Sequence, residues 1–183
     1  TYLTKGTQGL DLGSCLTNIP SGTPIRFNLS SNGITWSNVG DGIPDILISQ
    51  VAQPSSAAED KFKFVNSSGV TVGTEISVLL NNATLYPTVG NWNVDFYENN
   101  STQTTSTFVN TERTLKFYAT DLSAFGITVG NYASAVALIY TPGGDSDPAF
   151  LAFNEPSLGI ATQLGITAQP LTSDCDGVMA SSF

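Results

Sequence analysis

The residues of this sequence best placed to do chemistry are carboxylates in turns. Asp41 and Asp45 flank the run Gly40-Asp41-Gly42-Ile43-Pro44-Asp45, which leads straight into the apolar stretch Ile46-Leu47-Ile48. Asp145 and Asp147 lie in a second acidic turn, Pro142 to Pro148, which leads in the same way into Ala149 to Phe153. Calcium takes roughly 6–8 oxygen ligands from carboxylates, backbone carbonyls and water, and Gly-rich turns can point carbonyls inward. Asp41, Asp45, Asp145 and Asp147 are therefore candidate metal ligands, with Ca2+ as the candidate cofactor, if the two turns meet at one end of the fold. The spacing is not the alternating Asp-x-Asp-x-Asp-Gly pattern of dedicated calcium loops, and the alternative is a pair of solvated turns.

Other chemistry is excluded by what the chain lacks. It has no histidine, which removes Ser-His-Asp and Cys-His activation of a nucleophile and the usual zinc sites. No phosphate-binding glycine loop occurs. A glycosidase needs two suitably spaced carboxyl groups, and nothing in the spacing of Glu98, Glu112 and Glu155 singles out a pair; the expectation is a protein that is not an enzyme. The six basic residues and net charge of −9 do not suit nucleic acid, which needs clustered cations against its phosphates. No apolar run reaches the roughly 18 residues of a membrane span. Trp36, beside Ser37 and Asn38, is the candidate ligand-binding residue, because aromatic faces pack on pyranose rings; Trp92 lies in an alternating apolar strand and reads as core. Asn28-Leu29-Ser30, Asn66-Ser67-Ser68, Asn82-Ala83-Thr84 and the run Asn99 to Thr102 fit the N-glycosylation pattern, which matters only in a eukaryotic source.

The elements that must position these residues are strands. Short alternating or apolar runs bounded by Gly, Pro, Asn and Ser recur throughout, with hardly any helical period. Strands are expected at Gly9 to Leu16, Pro24 to Leu29, Ile34 to Trp36, Ile46 to Val51, Lys61 to Val65, Val70 to Gly73, Glu75 to Leu80, Trp92 to Tyr97, Arg113 to Ala119, Ala133 to Tyr140 and Ala149 to Phe153. Phe62 and Phe64 should face inward with Lys61 and Lys63 outward, and Leu115 and Phe117 inward on their strand. Asn66 to Gly69 should make a hairpin turn. Asp121 to Phe125 reads as a helical turn capped by Asp121 and closed by Gly126. The fold class is all-β: a two-sheet antiparallel β-sandwich, jelly-roll-like, with an immunoglobulin-like sandwich as the alternative.

At 183 residues the chain has room for one main domain. Residues 1–8 read as a loose N-terminal arm, 9–156 as the β-sandwich, and 157–183 as a linker, a tail or the first strand of a following domain, Leu164 to Ala168. Asn99 to Thr107, without an apolar residue, reads as a flexible loop. Charged residues make up 11% against a usual level of about 25%; Ser, Thr, Asn and Gly take their place, as on extracellular β proteins. The start at Thr1 reads as a mature or trimmed product. Cys15 and Cys175, the only cysteines, either bridge in an oxidising compartment or are unrelated thiols.

The runs Gly9 to Gly13, Gly40 to Pro54, Phe62 to Gly73, Gly90 to Tyr97, Arg113 to Leu115, Asp121 to Ile127 and Asp145 to Asn154 resemble a domain near the start of large surface proteins of gliding Bacteroidetes. Those proteins look like adhesins exported by the type 9 secretion system, often with immunoglobulin-like repeats after this domain. Gly165 to Pro170 is similar to the opening of such a repeat. The resemblance implies a secreted or cell-surface location, adhesion, surface glycans or other surface proteins as partners, and passage through the secretion machinery; it supplies no catalytic residues. Two functions follow as expectations: a non-catalytic adhesion or ligand-binding module, of which carbohydrate binding with calcium support is a sharper version, or a structural subunit that assembles through its edge strands.

Overall fold

The computed structural model describes residues 3–5, 14–17, 20–50, 58–98, 108–144 and 148–160. Among them, strands run in the order β1 (Leu3–Lys5), β2 (Ser14–Thr17), β3 (Ile25–Ile34), β4 (Ile46–Gln50), β5 (Asp60–Val65), β6 (Thr71–Val78), β7 (Gly90–Glu98), β8 (Phe108–Thr120), β9 (Ala137–Thr141), β10 (Pro148–Phe153) and β11 (Leu158–Ile160). They form a six-stranded sheet, β1-β10-β4-β8-β7-β2, and a five-stranded sheet, β11-β3-β9-β5-β6. The protein is an all-β sandwich. Only β5–β6 and β7–β8 are hairpins between neighbours in sequence; the chain otherwise wraps from sheet to sheet, as a jelly-roll-like sandwich requires. The pairings are antiparallel except at two edges, where β1 joins β10 and β2 joins β7 in parallel. No helix among the described residues is long and apolar enough to cross a membrane.

One core lies between the sheets. The six-stranded sheet contributes Ile46, Ile48 and Phe153, and the other contributes Phe27, Ile34, Phe62, Phe64, Val72, Leu138, Tyr140 and Leu158. β5 follows the period-two expectation: Phe62 and Phe64 are buried, while Lys61 and Lys63 reach Glu75 on the outer face at 3.9 and 3.0 Å. Phe62 stacks on Tyr140, and Phe64 meets Phe125 edge-on with ring centroids 5.1 Å apart. Each of these buried aromatics contributes about 1.5–3 kcal/mol through area removed from water.

Several expectations are corrected by this packing. Tyr118, not Leu115 and Phe117, packs against the core from β8; that strand carries apolar residues at both parities, so alternation alone does not fix its face. Leu3–Lys5 is a strand in register with Leu151 to Phe153, not a loose arm. The sandwich also extends past residue 156, because Ser157 and Leu158 are fully buried and β11 pairs with β3. The strand expected from Gly9 is seen as Ser14–Thr17, and the separate returns at 70–73 and 75–80 are one strand, β6. Ile34 ends the long β3, and Trp36–Asn38 is a 3-10 turn instead of a strand. Cys15 lies on β2 opposite Phe96. Cys175, the segments 99–107 and 164–168, and Asp145 and Asp147 fall outside the described residues.

Candidate functional site

The first acidic turn is organised by its own backbone. Gly40 and Gly42 take positive φ, 80° and 83°, a region open to glycine at little steric cost. Asp41 then accepts the Ile43 amide at Oδ1, 2.8 Å away, in an Asx turn. Asp45 points the other way and is 1% exposed. Its amide donates to the Thr120 carbonyl at 2.9 Å, and its carbonyl accepts the Asn154 amide at 2.8 Å. Its carboxylate Oδ2 accepts the Leu122 amide at 2.9 Å. One aspartate thus ties together three connections: 40–45, 120–122 and 154–157.

The charges at this knot are balanced unequally. Burial pushes the Asp45 carboxyl above its ordinary value, the Ser157 hydroxyl and Leu122 amide oppose that, and Asp121 and Asp41 add to it by repulsion. Asp45 Oδ1 has no hydrogen-bond partner of its own. Ser157 Oγ accepts from Asn154 Nδ2 at 2.9 Å and from Asn38 Nδ2 at 3.3 Å, which leaves its proton available to the Asp45 carboxylate. Asp121 behaves oppositely. Partial burial raises it, but the Ser123 amide and hydroxyl and the Gly40 and Gly42 amides outweigh that and hold it below its ordinary value. Gly40 N donates to both its oxygens, at 2.9 and 3.1 Å, and Ser123 N to Oδ1 at 2.6 Å. The same Asp121 caps the 3-10 turn Leu122–Phe125, which closes at Gly126 with φ 64°, as the sequence leads one to expect.

Backbone amides thus reach both oxygens of Asp121, Oδ1 of Asp41 and Oδ2 of Asp45. Among the described residues no three acidic, Cys or His side chains converge to hold a metal. The strand register also bears on whether the acidic turns meet: Phe153 pairs with Ile46 and Pro148 with Gln50. Strand β10 thus begins, after residue 147, at the end of β4 away from Asp45. At that end Asp60, 2% exposed, accepts the Gly143 amide at 2.9 Å, and Ser21 Oγ accepts the Gly144 amide.

Trp36 occupies a different setting. It sits on the 3-10 turn that leaves β3 and is 39% exposed. Its ring lies 5.9 Å from that of Tyr132, tilted by 35°. Tyr132 opens a second 3-10 turn, Tyr132–Ser134, shaped by Asn131, whose Oδ1 accepts the Thr128 amide at 2.7 Å and whose Nδ2 donates to the Gly126 carbonyl. Tyr132 also lines a groove of about 340 Å3, with Ser30 to Ile34 on one wall and Tyr132, Ala133, Ala135 and Val136 on the other; Trp36 borders Tyr132 and is not part of that lining. The cause of the groove is a bulge in β3. Leu158 pairs with Ile34 but Ile160 with Leu29, so β3 has extra residues between those contacts. Gly33 among them takes φ 55°, and the Ser30 and Asn32 side chains stand against Gly159 of β11. Below, Leu29 N is anchored to the Val136 carbonyl at 2.9 Å.

Of the residues singled out in the sequence, the fold brings Asp41 and Asp45 near each other and near Asp121, and it sets Trp36 against Tyr132, which lines a groove. Tyr132, Ser157 and Asp60 carry no sequence signal of their roles, which arise from contacts between distant segments. Comparison with known protein families, with curated proteins and with solved structures finds no match.

Proposed function

We propose that this chain is a non-catalytic recognition module of a bacterial surface or secreted adhesin, and that it binds glycans through Trp36. The observation that carries the reading is the Trp36–Tyr132 pair: an indole left 39% exposed against a tyrosine that lines a concave groove. Exposed aromatics next to a groove are what an apolar sugar face packs on. The low charge of the chain and its lack of histidine favour binding over chemistry. The resemblance to surface proteins exported by type 9 secretion supplies the location and the transit through that machinery.

Assembly through edge strands is less well supported. At the β6 edge, Phe62 pairs with Ile76 but Phe64 with Val72, so β6 bulges at residues 73–75 and breaks the flat row of donors and acceptors that strand addition needs. At the bulge Gly73 takes φ 75°, and a Cβ there would run into the Phe125 carbonyl oxygen. The opposite edge, β11, is only three residues long. A glycan array tests the proposal: binding by the native chain and its loss in Trp36→Ala support it, whereas concentration-dependent assembly without glycan binding would transfer support to the structural reading.

A further inference from the structure

We infer that the groove beside Trp36 takes an uncharged pyranoside of mono- to disaccharide size, with the β3 bulge supplying its polar contacts. The inference rests on the glycan reading above and narrows it. Every residue lining the groove is uncharged. A uronic or sialic acid seated there would lose hydration of its carboxylate without meeting a cation, and an amino sugar would meet no carboxylate; both are unfavourable. The chain's net charge of −9 further opposes the approach of acidic glycans.

The groove does offer what a neutral sugar requires. Tyr132 lines the groove, and Trp36, its ring tilted by 35° against that of Tyr132, extends this apolar shelf beyond the groove's rim for the C–H face of one ring. On the facing wall Ser30 Oγ is already engaged by the Asn32 amide at 3.3 Å. The Ser31 hydroxyl and the Asn32 carboxamide are exposed and make no side-chain hydrogen bond among the described residues. Together they present both donors and acceptors to ring hydroxyls. A volume of about 340 Å3 stands at the small end of ligand pockets, which run roughly 300–1,000 Å3.

The test is calorimetry of the full chain against a panel of neutral methyl glycosides and disaccharides, with uronates, sialosides and amino sugars as the charged arm. Binding should be confined to the neutral arm. The double variant Ser31→Ala/Asn32→Ala, in exposed positions, should keep its melting temperature and lose about tenfold in affinity, equivalent to roughly 1.4 kcal/mol. Preference for the charged arm overturns this inference and leaves glycan recognition standing. So does binding that Trp36→Ala abolishes but the double variant leaves unchanged. No binding to either arm overturns the glycan reading itself.

Discussion

The connection between β3 and β4 carries two side chains in reversed settings: Asp45, a carboxylate shielded to 1% exposure, and Trp36, an indole left 39% exposed. The aspartate is kept inside by its contacts. Its amide and carboxylate bond to the segment 120–122 and its carbonyl to Asn154, so removing the carboxylate leaves the Leu122 amide unpaired. Among the described residues the tryptophan has a single aromatic neighbour, Tyr132, and little of the fold depends on it. The difference separates a polar group that organises the loops from an apolar group that those loops present to solvent.

The largest effect should come from breaking the buried side of this contrast. Asp45→Ala should destabilise the chain by about 2–3 kcal/mol, through the orphaned Leu122 amide and Ser157 hydroxyl. At roughly 2–4 °C per kcal/mol for a domain of this size, differential scanning calorimetry reads it directly. Asp45→Asn, which keeps an acceptor oxygen, should cost less than half as much. Equal losses would mean that the charge, and not the hydrogen bonding, holds the knot.

Trp36→Ala should do the reverse. Its melting temperature should stay within about 2 °C of the native chain, since partly exposed positions contribute little to stability, while glycan affinity falls by at least about tenfold, roughly 1.4 kcal/mol. A large loss of stability would make Trp36 a structural residue and dissolve the comparison.

A smaller effect separates Asp45 from Asp121 through pH. Asp45 is raised above its ordinary 3.8 by burial, so between that value and its folded value the native chain holds more protons than the unfolded one. Stability therefore rises as pH falls through that window. Asp121 is lowered below 3.8, its partial burial outweighed by hydrogen bonds to the ionised form, and its contribution is lost as pH falls from 3.8 through its folded value. Denaturation across pH 3–6 should show Asp45→Asn flattening the upper limb and Asp121→Asn the lower one. The smallest effect should be that of calcium: millimolar Ca2+ should shift the melting temperature by less than about 1 °C, because backbone amides already bond both oxygens of Asp121 and Oδ1 of Asp41. A larger rise would show a bound ion by linkage.

Much of this scaffold was legible in residue pattern. Lys61 to Val65 alternates so cleanly that its inner and outer faces follow from period two, and Asp121 with Gly126 announces a capped turn in its own chemistry. The β3 bulge was not legible, because Ser30-Ser31-Asn32-Gly33 has the composition of a turn and only pairing with β11 shows that the strand continues through it. Asp45 misleads for a related reason. Pro-Asp after Asp-Gly reads as solvated, and its burial depends on Thr120, Leu122 and Asn154, which no local window contains. Tyr132 lacked a signal too: at the sequence level it borders an apolar run, and only the 3-10 turn sets its ring against Trp36.

The parallel pairing of β1 with β10 carries a mechanical consequence. Leu3 lies opposite Leu151 and Lys5 opposite Phe153. Tension that pulls the chain ahead of Leu3 against the chain beyond Phe153 acts on opposite ends of this ladder. The hydrogen bonds are then loaded side by side in shear, not opened in sequence like a zipper. Loaded in that direction, the three-residue edge strand shares the force among all its bonds at once.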